Sequence, residues 1–342
     1  MTEKRQVKLI AAGVLSAGFA VLLMWLYLVG GSAPATSPVS SAHHYFDYLG
    51  DGTEVISPIP QQVQLDARKV GLGEMLFQDP ILSDSNVSCE TCHSLTQAGV
   101  DQLPVSINVQ GGFDVMNTPT VFNAGFNQYQ MWSGRVALLE QQIDDVINND
   151  KHMNSSWPAI LQRLRRHDVY PALFADIYAD GISVPAIQDA LATFERSLIT
   201  PDSAFDRYLR GDKQAISSEQ KEGFRLFKDY GCISCHQGIN LGGNVRALLG
   251  VFIERTKPGS DARGGSAEVE LPQSEVNIYR APPLRNVART APYFHNGSIA
   301  NLHEAVIVMA RSQLGRDMPA EHADKIVAFL DSLTGEYRGK PL

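Results

Sequence analysis

Hydrophobic positions recur three and four residues apart over most of the chain, the spacing of a helix with one buried face. The pattern predicts helices over Asp66–Leu76, Ser156–Arg166, Tyr170–Ala179, Pro185–Leu198, Ser218–Lys228, Leu302–Ala310 and Ala320–Leu333, the last stopped by Gly335. Alternating runs that would mark strands are sparse, so the expected class is mainly α. The stretch ITPDSAFDRYLRGD after Leu198 has turn-forming composition and reads as a connection. It sets a boundary near Pro201 between two modules, 46–200 and 201–342.

The amino terminus departs from this amphipathic pattern. Leu9 to Val29 is an uncharged apolar run of 21 residues, which as a helix matches a hydrocarbon core of about 30 Å. Lys4, Arg5 and Lys8 precede it, so the positive-inside rule keeps residues 1–8 in the cytoplasm and exports the rest of the chain. The run exceeds the apolar region of a secretory signal, about 7–15 residues, and reads as a transmembrane anchor in the inner membrane; cleavage within Gly31–Ala35 to give a soluble periplasmic protein is the alternative. Residues 30–45, rich in Gly, Ser and Pro, read as a tether.

Composition narrows the function. The chain of 342 residues is 44% apolar and 19% charged, with a net charge of −8, enough apolar material for a large core. The charge argues against nucleic acid as a partner. Because segment 1–42 is basic, the exported part is more acidic still, which suits a basic protein partner or a neutral substrate.

The four cysteines carry the chemistry. Cys89-Glu90-Thr91-Cys92-His93 and Cys232-Ile233-Ser234-Cys235-His236 account for all of them. Each is C-x-x-C-H, the attachment signature of c-type haem: two thiols reach the two vinyl groups of one porphyrin and the adjacent histidine turns to the iron. His93 and His236 are therefore expected as iron ligands, with two covalent haem c groups as cofactors. A zinc ribbon would pair its cysteine units about 15–20 residues apart, and no βαβ context supports a thioredoxin-like motif.

Further stretches surround these motifs: LFQDPILSDSNVSCETCH, NTPTVFNAGFNQYQMWSGR, ALATFERSLITPDSAFDRYLRGD, YGCISCHQGINLGG, and APPLRNVARTAPYFHNGS followed by MARSQLG. Together they resemble the bacterial di-haem cytochrome c peroxidases, a family that includes the di-haem enzyme maturing methylamine dehydrogenase. The resemblance implies two cytochrome-c-like domains, a peroxide-reducing amino-terminal haem, a carboxy-terminal haem that receives electrons, and a calcium ion. It implies Met309 as sixth ligand of the second haem, where the maturation enzyme has tyrosine. A His/Met pair closes an iron to peroxide and raises its potential.

At the first haem the sequence departs from its relatives. Many carry an iron-blocking histidine on the loop that here reads Ser106-Ile107-Asn108-Val109-Gln110-Gly111-Gly112; Val109 stands in its place and cannot ligate. Trp132 resembles the tryptophan between the haems, and Gln142 the glutamine that hydrogen-bonds peroxide. The pocket glutamate is replaced by His152, which admits three roles: acid/base group, iron ligand, or loop histidine. Asn117 and the carbonyls of Thr290 and Pro292 match the calcium ligands.

The expected activity is reduction of hydrogen peroxide to water, with a small cytochrome c, a copper protein or quinol as donor. A non-enzymatic electron-transfer cytochrome, and oxidation of a protein substrate by the same iron chemistry, are the rival readings. The sequence leaves the oligomeric state open, a homodimer included.

Overall fold

The computed structural model describes residues 55–252 and 278–342. The predicted anchor 9–29, the flanking residues 1–8 and the tether 30–45 lie outside the described residues, among which no helix is long and apolar enough to cross a membrane. The described residues form one compact unit.

The described residues contain ten α-helices: α1 Ala67–Gln78, α2 Cys89–Cys92, α3 Leu139–Ile147, α4 Trp157–Arg166, α5 Tyr170–Ile177, α6 Val184–Ser197, α7 Ala204–Leu209, α8 Ser218–Tyr230, α9 Leu302–Leu314 and α10 Ala320–Asp331. Their ends follow capping chemistry. Asp66 accepts the Arg68 amide at the start of α1, Ser217 and Gln220 form a capping box on α8, and Gly231 ends that helix in the left-handed conformation. Two corrections to the sequence reading concern α3 and α7. The apolar pattern does not predict α3, and α7 lies inside the stretch read as a connection, where Ser203 caps it by accepting the Asp206 amide. Among the described residues strands are confined to two short antiparallel ribbons: β1 Arg246–Leu248 with β2 Ile278–Arg280, and β3 Glu336–Tyr337 with β4 Lys340–Pro341.

Each C-x-x-C-H motif is flanked by one helix crossing made close by a glycine. At α1 against α6, a Cβ on Gly73 would fall 2.1 Å from the Ala190 carbonyl oxygen; at α8 against α10, one on Gly223 would fall 1.8 Å from that of Lys325. Around the first crossing Leu72, Leu76, Phe77, Ile187, Leu191 and Phe194 form one core, and around the second Phe205, Leu226, Phe227, Ile326, Phe329 and Leu330 form another.

The likeness extends to the loops. One constant sequence offset relates Asn123 to Asn286, Met131 to Phe294 and Gly134 to Gly297, all six with positive φ. The bridge Gln130–Val136 has its counterpart in Tyr293–Ile299 at the same offset. Asn123 and Asn286 meet at Thr200: Asn123 Nδ2 donates to the Thr200 hydroxyl at 2.7 Å and Asn286 Nδ2 at 2.9 Å. The chain is thus two copies of one plan, joined at a buried polar seam.

Each half also lends a segment to the other. Ile56 packs in the second core, and Arg285 clamps the incoming chain by donating to the Ser57 carbonyl at 3.0 Å while pairing with Asp206 at 2.7 Å, both side chains fully buried. Asp206 in turn accepts the Ile59 amide at 3.1 Å. At the far end Tyr337 packs edge-on against Phe122, and Arg338 pairs with Glu74. Removing one partner of a buried ion pair strands the other charge, at a cost of about 3–5 kcal/mol. Asp206→Ala should lower unfolding free energy by that amount in denaturant titration; a loss below about 1 kcal/mol, the value of an exposed pair, would contradict this role.

Candidate haem sites and peroxide pocket

The first motif occupies the single turn α2. Ser88 and Thr91 cap it reciprocally, and the His93 amide donates to the Cys89 carbonyl at 2.9 Å, turning the imidazole out of the helix. His93 Nδ1 lies 3.3 Å from the Gly99 carbonyl oxygen. At the second motif His236 Nδ1 lies 3.1 Å from the Pro282 carbonyl oxygen and 3.3 Å from that of Leu241. A carbonyl accepts, so Nδ1 carries the proton on both rings and Nε2 keeps its lone pair, the arrangement a metal-ligating histidine requires. Burial pushes both imidazoles below their ordinary pKa, favouring this neutral form.

The cysteines are all unpaired and half-buried. Cys89 packs against the first core and Cys232 against the second. Burial pushes their thiols up, Cys89 to about 12 and Cys232 to about 11, and among the described residues no group of three or more His, Cys, Asp or Glu is placed to hold a metal ion. Neutral thiols in apolar surroundings beside a tautomer-fixed histidine fit covalent haem c at both motifs.

Met309 stands on α9 beyond Leu302 and Val306, which pack against the second core with Cys232. It is half-buried and falls on the same helical stripe. In the first half the loop 106–114 is a narrow ribbon: the Asp114 amide donates to Ser106 at 2.8 Å, and Ile107 bridges Phe113. The loop is stitched to the turn carrying His152, since the Val109 amide donates to Lys151 at 3.0 Å and Gln110 Nε2 to Asp150.

This stitching brings Asp114 onto His152, with Nε2 and Oδ2 2.6 Å apart. His152 lies close enough to His93 for its charge to disfavour protonation there. The imidazole thus has a defined carboxylate partner near the first motif. Sequence reasoning missed Asp114, which is remote from His152 along the chain and belongs to no motif.

A second missed residue is Glu195 on α6. Gln142 Nε2, on α3, donates to its Oε2 at 2.8 Å, and Arg196 beside it grips Glu140 with two bonds of 2.7 and 3.0 Å. Burial pushes the Glu195 carboxyl up to about 8, and its charge in turn raises Cys89. Gln142 is therefore held by a buried acid beside the first motif.

Trp132 links the halves. Its Nε1 donates to the Asn117 carbonyl at 2.8 Å, its ring lies edge-on to His295 with centroids 6.4 Å apart, and His295 stacks on Tyr279 at 4.6 Å. The Asn117 amide donates to the His295 carbonyl at 2.7 Å, which places Asn117 beside the segment carrying Thr290 and Pro292. Its Nδ2 donates to the Leu103 and Pro104 carbonyls at 2.9 and 3.3 Å.

Glu195 carries a pH signature. With a carboxyl at about 8 folded against about 4.5 unfolded, the folded chain holds the extra proton between those values, so stability falls as pH rises through that window. Denaturation midpoints from pH 4.5 to 8 should decline, and Glu195→Gln should flatten the decline; an identical profile in the variant would remove Glu195 as its source.

Residues 67–214 match the family described as di-haem cytochrome c peroxidase, and residues 278–314 a family described as RoxA-like, cytochrome c-like. The chain is 45% identical to the cytochrome c peroxidase Ccp of Escherichia coli, over 83% of this chain and 62% of that longer protein. It is 38% identical to the cytochrome c551 peroxidase of Pseudomonas aeruginosa, over 85% of this chain and 87% of the relative. A solved structure of a MauG-like protein associated with microbial copper homeostasis superposes with a TM-score of 0.68 at 26% identity, covering 82% of this chain and 93% of that one. Two haem-fitting motifs on one repeated helical plan and 38% identity along most of a relative's length lead to one conclusion: the chain belongs to the di-haem cytochrome c peroxidase family.

Proposed function

We propose that the chain is a peroxidase that reduces hydrogen peroxide to two waters, taking two protons and two electrons per turnover, with electrons entering at the His236/Met309 side and reaching the His93 side through the Trp132 region. The naming of its relatives as cytochrome c peroxidases supports the activity. The observation that carries the mechanism is the Asp114–His152 pair of 2.6 Å beside a loop that holds no histidine.

Cys89 and Cys92 would hold the first haem, with His93 as its iron ligand, and the group would supply the redox chemistry of peroxide cleavage. Asp114 accepts from His152 Nε2–H, which leaves Nδ1 free to take the proton of the incoming peroxide and deliver it to the departing oxygen. Protonated His152 is stabilised by the same carboxylate. Gln142, turned by Glu195, offers a polar group to orient peroxide. This engagement of Nε2 favours the acid/base role of His152 over ligation, and hence an enzyme over an electron-transfer cytochrome.

The two modules, 46–200 and 201–342, each carry one haem. Residues 9–29 anchor the protein to the inner membrane with the haem domains in the periplasm; extraction by a carbonate wash would overturn this. Asn117 with the Thr290 and Pro292 carbonyls binds calcium, and activity unaffected by chelation would count against it. A small cytochrome c, a copper protein or quinol serves as donor.

His152→Ala should reduce peroxide turnover by about 10²–10⁴-fold, the range of general acid/base catalysis, with both haems retained. Unchanged turnover in stopped-flow assays would remove His152 from the mechanism.

A further inference from the structure

Arg280, on β2, is a buried cation without a counter-ion among the described residues. It is 4% exposed, and its Nη1 has no hydrogen-bond partner. Its Nε donates to the Met131 carbonyl at 3.1 Å and its amide to the Trp132 carbonyl at 2.8 Å. Among the described residues no carboxylate forms an ion pair with it. Arg285, on the same segment, is buried as deeply, yet Asp206 neutralises it and three further oxygens accept from it. Burial lowers Arg280 only to about 10, so it stays charged at neutral pH. A buried, unpaired cation is costly, and persists where a partner completes it.

A second observation concerns the residue opposite. In the antiparallel register Arg246 of β1 pairs with Arg280, so both side chains leave the same face of the ribbon. Arg246 Nε donates to the Ser133 carbonyl at 3.0 Å, so the two guanidinium groups clasp one turn, 131–133. Arg246 too lacks an ion pair among the described residues. Like charges directly opposed across a strand pair repel, and an anion between them converts that repulsion into attraction. A guanidinium fork matches a carboxylate in particular.

The location identifies the carboxylate. Arg280 stands two positions before Pro282, whose carbonyl accepts from His236 Nδ1 at 3.1 Å, and its amide is bound to Trp132, which links the halves. The group that brings carboxylates to this place is the haem expected at Cys232 and Cys235, which carries two propionates. We propose that Arg280, with Arg246 across the ribbon, binds a propionate of the second haem and holds that haem's potential up by neutralising it. This rests on the two-haem reading. At the offset of the internal repeat, position 280 is the counterpart of Asn117 in the first half, so the repeat places an arginine where the other half places an amide.

Arg280→Gln tests the assignment in the full-length protein. Pyridine haemochrome analysis comes first: fewer than two haems in the wild type would refute the two-haem reading itself. With two haems retained in the variant, a spectroscopic redox titration should show the one-electron equilibrium of the second haem shifted at least tenfold toward the ferric form, about 59 mV, with the first haem unmoved. Arg280→Lys, which keeps the charge, should recover part of the shift. An unchanged second haem, or a shift confined to the first, would overturn the proposal. If the variant does not fold, wild-type protein carrying haem labelled with ¹³C at the propionates gives an independent reading. Reduced-minus-oxidised infrared spectra should show labelled carboxylate bands shifting when the second haem is reduced. Labelled bands indifferent to its reduction would overturn the proposal.

Discussion

Two reciprocal backbone hydrogen bonds set the relation between the halves, and the site depends on them. The Asn117 amide donates to the carbonyl of His295, and the Arg280 amide to the carbonyl of Trp132. Positions 117 and 280, like positions 132 and 295, are related by the offset of the internal repeat, so the bonds are counterparts within one plan. Exchanged backbone bonds fix both distance and orientation, because a buried amide pulled off its carbonyl and left unpaired is costly. Trp132, His295 and Tyr279 are thereby held as one aromatic contact across the two halves.

The surroundings of His93 follow from how loops and helices are tied rather than from a single motif. The 106–114 ribbon, which holds no histidine, is laced onto the 149–152 turn and carries Asp114 to His152. On the other side α3 is lashed to α6 by Glu140–Arg196 and Gln142–Glu195. One pair presents an imidazole with a defined proton, and the other a buried acid behind an amide. In the proposed acid/base role, His152 has a carboxylate beside it to fix its tautomer.

Much of this is legible in the sequence. The C-x-x-C-H motifs specify their cofactor by spacing alone, and the helices carrying the two crossings have long apolar periods that fall within a few residues of the structure. α3 escapes because it is nine residues long and its apolar positions follow Leu138 without a side-chain cap. α7 escapes because Pro201, Asp202 and Gly211 around it mark turns, and its stability comes from burial of Phe205 and the Asp206–Arg285 pair. Asp114 and Glu195 meet their partners across 38 and 53 residues, and no local period encodes such contacts. The repeat itself leaves a trace that pattern reading could find: MWSGR and FHNGS, and VFN and LRN, recur at one offset.

We propose that the first haem iron is open in the resting enzyme, because Val109 cannot ligate it and Asp114 engages Nε2 of His152. Electron paramagnetic resonance of the fully oxidised protein measures this directly. One high-spin ferric haem beside one low-spin haem is the expected result. Low-spin signals from both haems, with one converted to high-spin by His152→Ala, would show that His152 is the ligand and contradict it.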